Sequence, residues 1–271
     1  MSTKRSLAAA IGVALGLGLC SIPALAGPTV INHCQTLPAS GSYVLGKNLA
    51  AAGGRGGLDC LLLADDFITV DLNGFTITGF AGQGTGIKLA SDFNGAGRGF
   101  EIRGGTIVFF ARGVDLRVLG GSPGQNRIER MRILDNSDFG AVISGSAIVK
   151  DSIFSRNGVC LFDGCPERTT NGDGLTVGRD SVVTGNTSSG NAGHGISVSG
   201  GTVIGNTTDG NGEGGLTVNG GSTVQNNTAA GNAIGLEIGC PSVIVGNTAF
   251  GNTTNLVQQG AGCTAANNVA P

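Results

Sequence analysis

Short apolar runs with alternating polar positions recur along most of the chain. Gly174-Leu175-Thr176-Val177, Gly195-Ile196-Ser197-Val198, Gly215-Leu216-Thr217-Val218 and Gly235-Leu236-Glu237-Ile238 begin 21, 20 and 20 residues apart. A second set lies between them: Val183-Thr184-Gly185-Asn186-Thr187, Val203-Ile204-Gly205-Asn206-Thr207, Val224-Gln225-Asn226-Asn227-Thr228 and Ile244-Val245-Gly246-Asn247-Thr248. Alternation with period two predicts strands. Strands this short are not stable alone. A fixed period near 20 predicts stacked units, in which each apolar position meets its own copy one unit away. The predicted fold is all-β: a single-stranded parallel β-helix, a solenoid of about ten rungs and about 45–50 Å long at ~4.8 Å per rung. Leucine-rich repeats share the period but need a Leu spacing and a helical segment that are absent. Propeller blades need about 40 residues.

Two asparagine columns run in register with the strands. One is Asn186, Asn206, Asn227, Asn247 and Asn267; the other is Asn191, Asn211, Asn232 and Asn252. Stacked asparagines can bond their copies above and below and cap open turn groups. Asn186, Asn206, Asn226 and Asn252 also begin N-x-S/T sequons, which the turn ladder explains without glycosylation. Upstream the period loosens. Gly86-Ile87-Lys88-Leu89, Gly113-Val114-Asp115-Leu116 and Gly140-Ala141-Val142-Ile143 are 27 residues apart, and a step of 34 leads to Gly174. The extra residues are expected to leave the coil as loops, one of them near 158–170.

Composition adds a reason for the turns. The chain has 51 glycines among 271 residues and only 7 prolines, with no G-X-Y period. Glycine at this level disfavours helices and suits coils that turn sharply several times per rung. Lys4 and Arg5, an apolar run from Leu7 to Leu19 and Ala24-Leu25-Ala26 read as a signal peptide over 1–26. The apolar run is too short to span a bilayer. The expected location is therefore secreted, periplasmic or cell-surface, with 27–60 as an N-terminal cap segment and 61–271 as the β-helix. Net charge is −2, which gives no reason to expect nucleic acid. Past the leader the cysteines number six, and an even count in an exported chain reads as disulfides. The repeat favours neighbours: Cys34–Cys60, Cys160–Cys165 and Cys240–Cys263. A zinc site lacks any CxxC pair.

The run Ile68-Thr69-Val70-Asp71-Leu72-Asn73-Gly74-Phe75-Thr76-Ile77-Thr78-Gly79 resembles a coil of right-handed parallel β-helix proteins of the pectate-lyase-like superfamily. Cys34 through Tyr43-Val44-Leu45 to Cys60 resembles the N-terminal segment of exported members. With the Asn/Gly coils the resemblance spans nearly the whole chain after residue 26. It implies a right-handed coil and a polysaccharide-related role. That superfamily includes lyases, hydrolases, epimerases and adhesins, so the resemblance implies a fold more sharply than a reaction. No Asp-Pro-His-Glu run is present. Gly193-His194-Gly195 lacks the accompanying Asp-Asp coil.

Charge collects in the middle of the chain. Residues 98–156 hold nine Lys or Arg and six Asp or Glu, whereas 172–271 hold six charged residues. Alternation places Lys88 and Asp115 in one outward column with Thr176, Ser197, Thr217 and Glu237. It places Arg130 and Lys150 in another, with Thr184. A row of Lys88, Arg103, Arg130 and Lys150 is the expected carboxylate-binding set for an acidic polysaccharide. Asp115, Arg130, Arg132 and Asp135 are the candidates for any lyase- or epimerase-like proton abstraction. The competing expectation is cross-strand ion pairing on a solvated face of a non-catalytic structural or adhesive rod. His194 and His33 read as turn residues. Asn171-Gly172-Asp173-Gly174 has too few ligands for calcium, so no metal or cofactor is expected. The protein is expected to be a monomer or to associate end to end.

Overall fold

The computed structural model describes residues 27–51, 58–80, 82–118, 124–159, 161 and 172–271. The leader at 1–26 and the pair Cys160–Cys165 lie outside these residues. Ten strands form one parallel sheet, here face 1: Gln35–Leu37, Leu61–Leu63, Thr85–Leu89, Arg112–Leu116, Phe139–Ile143, Leu175–Val177, Ile196–Val198, Gly214–Val218, Ile234–Gly239 and Thr254–Gln259. An 18-stranded sheet supplies the other two sides. Face 2 includes Ile68–Asp71, Ala147–Lys150, Ser181–Thr184 and Gly201–Ile204; face 3 includes Thr76–Thr78, Ile153–Ser155, Thr187–Ser189 and Thr207–Asp209. The long strands Glu101–Val108 and Asn126–Leu134 run through both. Residues 27–60 contribute strands of their own: Thr29–Ile31 pairs with Gly41–Leu45, and Gln35–Leu37 pairs with Leu61–Leu63.

The register stacks like on like. On face 1, Val114, Ala141, Leu175, Ile196 and Leu216 follow one another inward, and each is at most 1% exposed. Face 2 stacks Ile128, Val149, Val183, Val203 and Val224 inward in the same way. β-Branched side chains suit these columns because each has few rotamers and packs flat on the pleat. Cys34–Cys60 and Cys240–Cys263 join neighbouring coils near the two ends.

From the rung of Ile68–Asp71 onward, the corner between faces 2 and 3 is a left-handed residue. Asn73, Gly104, Arg130, Asp151, Gly185, Gly205, Asn226, Gly246 and Asn267 all have φ between 49° and 73° there. The residue after the corner points inward. Asn186, Asn206, Asn227 and Asn247 form a buried ladder, each donating its backbone N–H and its amide to the next Oδ1 at 2.9–3.0 Å. The ladder ends on Asn268 and not on Asn267, because Asn267 is the corner residue. Ser152 occupies the same place one rung upstream. The second ladder runs Asn136, Asn157, Asn191, Asn211, Asn232 and Asn252, two rungs further upstream than the sequence pattern shows.

Not all the glycine excess serves left-handed corners. The most regular column, Gly86, Gly113, Gly140, Gly174, Gly195, Gly215 and Gly235, has no left-handed φ. A Cβ on Gly113, Gly140, Gly174, Gly195 or Gly215 would lie 2.3–2.8 Å from the carbonyl oxygen of the next glycine of the column. That column is glycine because rungs approach one another too closely for a side chain.

Candidate ligand-binding face

Insertions single out face 1. Residues 51–60, 90–100, 117–125 and 156–174 are the lengthened connections, and each enters or leaves a face 1 strand. From Lys150 onward the corner between faces 2 and 3 keeps a constant two residues: it spans 151–152, 185–186, 205–206, 226–227 and 246–247, whereas the two N-terminal rungs have 46–48 and 72–75 there. Loops displayed by a rigid scaffold are where binding residues concentrate.

The outward column of face 1 runs Lys88, Asp115, Val142, Thr176, Ser197, Thr217 and Glu237. It follows the alternation of the sequence, with Val142 interposed. At its charged end Lys88 Nζ lies 3.0 Å from Asp59. Arg117 grips Asp115 side-on, Nε to Oδ1 at 2.8 Å and Nη2 to Oδ2 at 2.6 Å. Arg112 donates to Asp138 at 3.0 Å and to Asp115 at 3.3 Å. Both guanidinium carbons lie over the Phe139 ring, at 5.3 Å for Arg112 and 5.1 Å for Arg117. The Asp115 carboxylate holds the Arg117 guanidinium still further into its charged form.

Three depressions meet at Arg117. One of about 500 Å³ is lined by Lys88, Leu89, Arg112, Asp115 and Arg117. A second, of about 400 Å³, lies toward Ser91, Phe93, Asn94 and Val118. A third, of about 270 Å³, is lined by Arg117, Phe139, Val142, Asp173 and Thr176. A further depression, of about 360 Å³, lies apart among Ser144, Ser146, Arg179 and Asp180.

The residues expected to act together are divided among the faces. Lys88 and Asp115 are on face 1. Arg103 and Lys150 are on face 2, where Glu129 stands between them. Arg130 does not share their column. It is the left-handed corner residue, with φ 49° and a side chain 62% exposed. Its backbone turn takes up one position, so the alternation read back from Lys150 falls on Glu129. Arg132 is exposed on face 3, between Thr106 and Ile153. Asp135 is 8% exposed at the next corner, held by two 2.6 Å bonds from Arg156. Arg130, Arg132 and Asp135 therefore do not converge with Asp115. The sequence pattern counts Arg112 and Arg117 only as members of a charged stretch and passes over Phe139 and Asp138. Phe139 is paired with Arg112 one 27-residue period away, a usable signal.

On face 2 the ion pairs are structural. Asp71 and Glu101 both bind Arg103, at 2.9 and 2.6 Å. Glu129, with a side chain 7% exposed, bonds to Arg127 and lies 3.5 Å from Lys150. Burial opposes its ionisation, but Arg127 and Lys150 outweigh burial and hold its carboxyl below the usual glutamate value. A depressed carboxyl contributes stability that is fully present above the unfolded value of 4.5 and is lost as pH falls through the lower folded value. Acid titration of the melting temperature is expected to fall more steeply below about pH 4.5 for the wild type than for Glu129→Gln. Parallel acid limbs would refute this.

His194 is confined. Its Nδ1 accepts the Gly214 N–H at 3.0 Å, which leaves a proton on Nε2, 3.1 Å from Glu213. Its own backbone N–H donates to Asp173 Oδ1 at 2.8 Å, and Asp173 Oδ2 accepts the Thr176 hydroxyl at 2.9 Å. The acceptor nitrogen is thus occupied, as suits a turn residue. Among the described residues no three His, Cys, Asp or Glu side chains are grouped to hold a metal ion, and no helix is long and apolar enough to cross a membrane.

No family model and no curated protein matches the sequence. Among solved structures, the A-module of mannuronan C-5 epimerase AlgE6 from Azotobacter vinelandii is similar with a TM-score of 0.54 at 18% identity, over 84% of this chain and 71% of that one. The A-module of AlgE4 from the same organism gives 0.50 at 18% identity, over 85% and 80%. Together with the parallel ladders, these likenesses show that the chain is a right-handed parallel β-helix of the pectate-lyase-like fold.

Proposed function

We propose that the protein is an exported β-helix that binds an acidic polysaccharide along face 1. The observation that carries this reading is the pair of guanidiniums of Arg112 and Arg117, seated on Phe139 at the meeting point of three depressions. Guanidinium forks match carboxylates bidentately. The long connections that begin or end at face 1 strands support the same location. A polysaccharide ligand is supported by the mannuronan epimerase modules that share the fold. The two disulfides suit an oxidising compartment, which supports export.

Binding is favoured over lyase chemistry by the state of Asp115. A general base must be free to take a proton, and Asp115 is held by both arginines. Calorimetric titration is expected to show binding of oligogalacturonate or alginate oligomers, weakened by salt, and none of a neutral glucan. Arg112→Ala is expected to weaken binding by about tenfold, the worth of one charge-assisted contact. Absorbance at 235 nm is expected to stay flat. No binding to any polyuronate would sink the reading, and a rise at 235 nm would replace binding with cleavage.

A further inference from the structure

Arg117 is the one residue common to the three depressions on face 1. It lines the hollow beside Lys88 and the hollows beside Phe93 and Thr176 alike. Its side chain is 47% exposed, so it stands in the trough and not beneath it. Asp115 fixes it there by a side-on pair at 2.8 and 2.6 Å. This is the arrangement a planar carboxylate from a ligand would adopt with the same fork. Asp115 also has a second partner, Arg112, at 3.3 Å. Loss of Arg117 therefore leaves Asp115 paired, with a side chain only 12% exposed.

We infer that Asp115 stands in for a ligand carboxylate, and that Arg117 is a gate which exchanges Asp115 for a uronate and swings out of the trough as it does so. This rests on the polysaccharide reading above and names its chemistry: carboxylate-bearing sugars, read by Arg117, in competition with a resident carboxylate. The exchange conserves charge pairing. Arg117 passes from one carboxylate to another, and Asp115 stays on Arg112. The swing joins three separate hollows into one trough running along the rod. Because the resident competitor is built in, the free protein holds the ligand more weakly than its arginines allow.

The test uses the whole protein with trimers of galacturonate as the probe. Asp115→Asn keeps the shape but removes the competing charge, and it is expected to tighten binding at least several-fold. Arg117→Lys, which cannot form the fork, is expected to weaken it by about tenfold and to blunt the preference for uronate over neutral trimer. Phenylglyoxal is expected to label Arg117 faster in Asp115→Asn than in the wild type, a readout that needs no ligand. Unchanged or weaker binding by Asp115→Asn, in a protein that melts like the wild type and whose wild type binds, would overturn the gate and leave the polysaccharide reading standing. Failure of wild type and both variants to bind would remove both. Equal labelling rates in the presence of tightened binding would overturn the swing.

Discussion

Asn227→Asp is expected to destabilise the rod by about 3–5 kcal/mol, whereas Asn226→Asp, its neighbour, costs almost nothing. Asn227 is 2% exposed. Its amide donates to Asn247 Oδ1 at 3.0 Å and to Val203 O at 3.0 Å, while its Oδ1 accepts two bonds from Asn206 at 2.9 and 3.0 Å. An aspartate keeps the acceptors and loses both donors. It sets a buried charge against two oxygens that have no proton to offer, and a buried unsatisfied group bears its full desolvation penalty. Asn226 is the exposed left-handed corner residue at φ 53°, a conformation that Asp tolerates. Thermal melts followed by circular dichroism should separate the pair by about 10 °C at this chain length. A separation of less than about 2 °C would show that the ladder is not what holds the rungs.

Gly195→Ala is expected to be worse than Gly205→Ala, which inverts the usual expectation from backbone angles. Gly205 has φ 65° and open space where a methyl would go, so alanine there meets only the left-handed strain of about 1–2 kcal/mol. Gly195 has no such strain, but its Cβ would lie 2.6 Å from Gly215 O and 2.7 Å from Asn211 Nδ2. Relief requires moving one rung away from the next, which breaks ladder bonds on both sides. The expected cost is about 3 kcal/mol or more, in line with overpacking of a tight core. Urea melts of the two variants decide it. Equal midpoints would mean that the glycine column is a matter of turn geometry after all.

These positions show how far the sequence could be read. The repeat, the inward columns of faces 1 and 2 and the register of Lys88, Asp115, Thr176, Ser197, Thr217 and Glu237 follow from period and alternation alone. Alternation fails at each corner, because a left-handed residue takes up a place without pointing in or out. It misplaces Arg130 and Asn267 by that one position, and both are corner residues with φ 49° and 54°. The site is less legible than the fold. Which side of a solenoid a charged residue faces depends on where the corners fall, so Arg103, Lys150, Arg132 and Asp115 look like neighbours in sequence and stand on three sides of the rod. The stacking of Arg112 and Arg117 on Phe139 joins residues one rung apart through side-chain direction, which a linear pattern does not encode.

The asparagine ladder has a consequence for how such a chain changes length. The bond from Asn191 to Asn211 is repeated from Asn211 to Asn232 with the same atoms and nearly the same distances. Within the rungs from Asn186 to Asn252, the top of one therefore matches the bottom of any other. An in-frame duplication of one whole period inserts a segment whose two new junctions are copies of old ones, and needs no compensating change elsewhere. Rungs of 20 and of 21 residues keep both ladders intact, but the two ladder positions are always five residues apart, so a single residue inserted between them shifts one ladder off its partners. Growth by whole copies is open to this architecture and growth by single residues is closed, except in the connections that begin or end at a face 1 strand, where the rungs already differ in length.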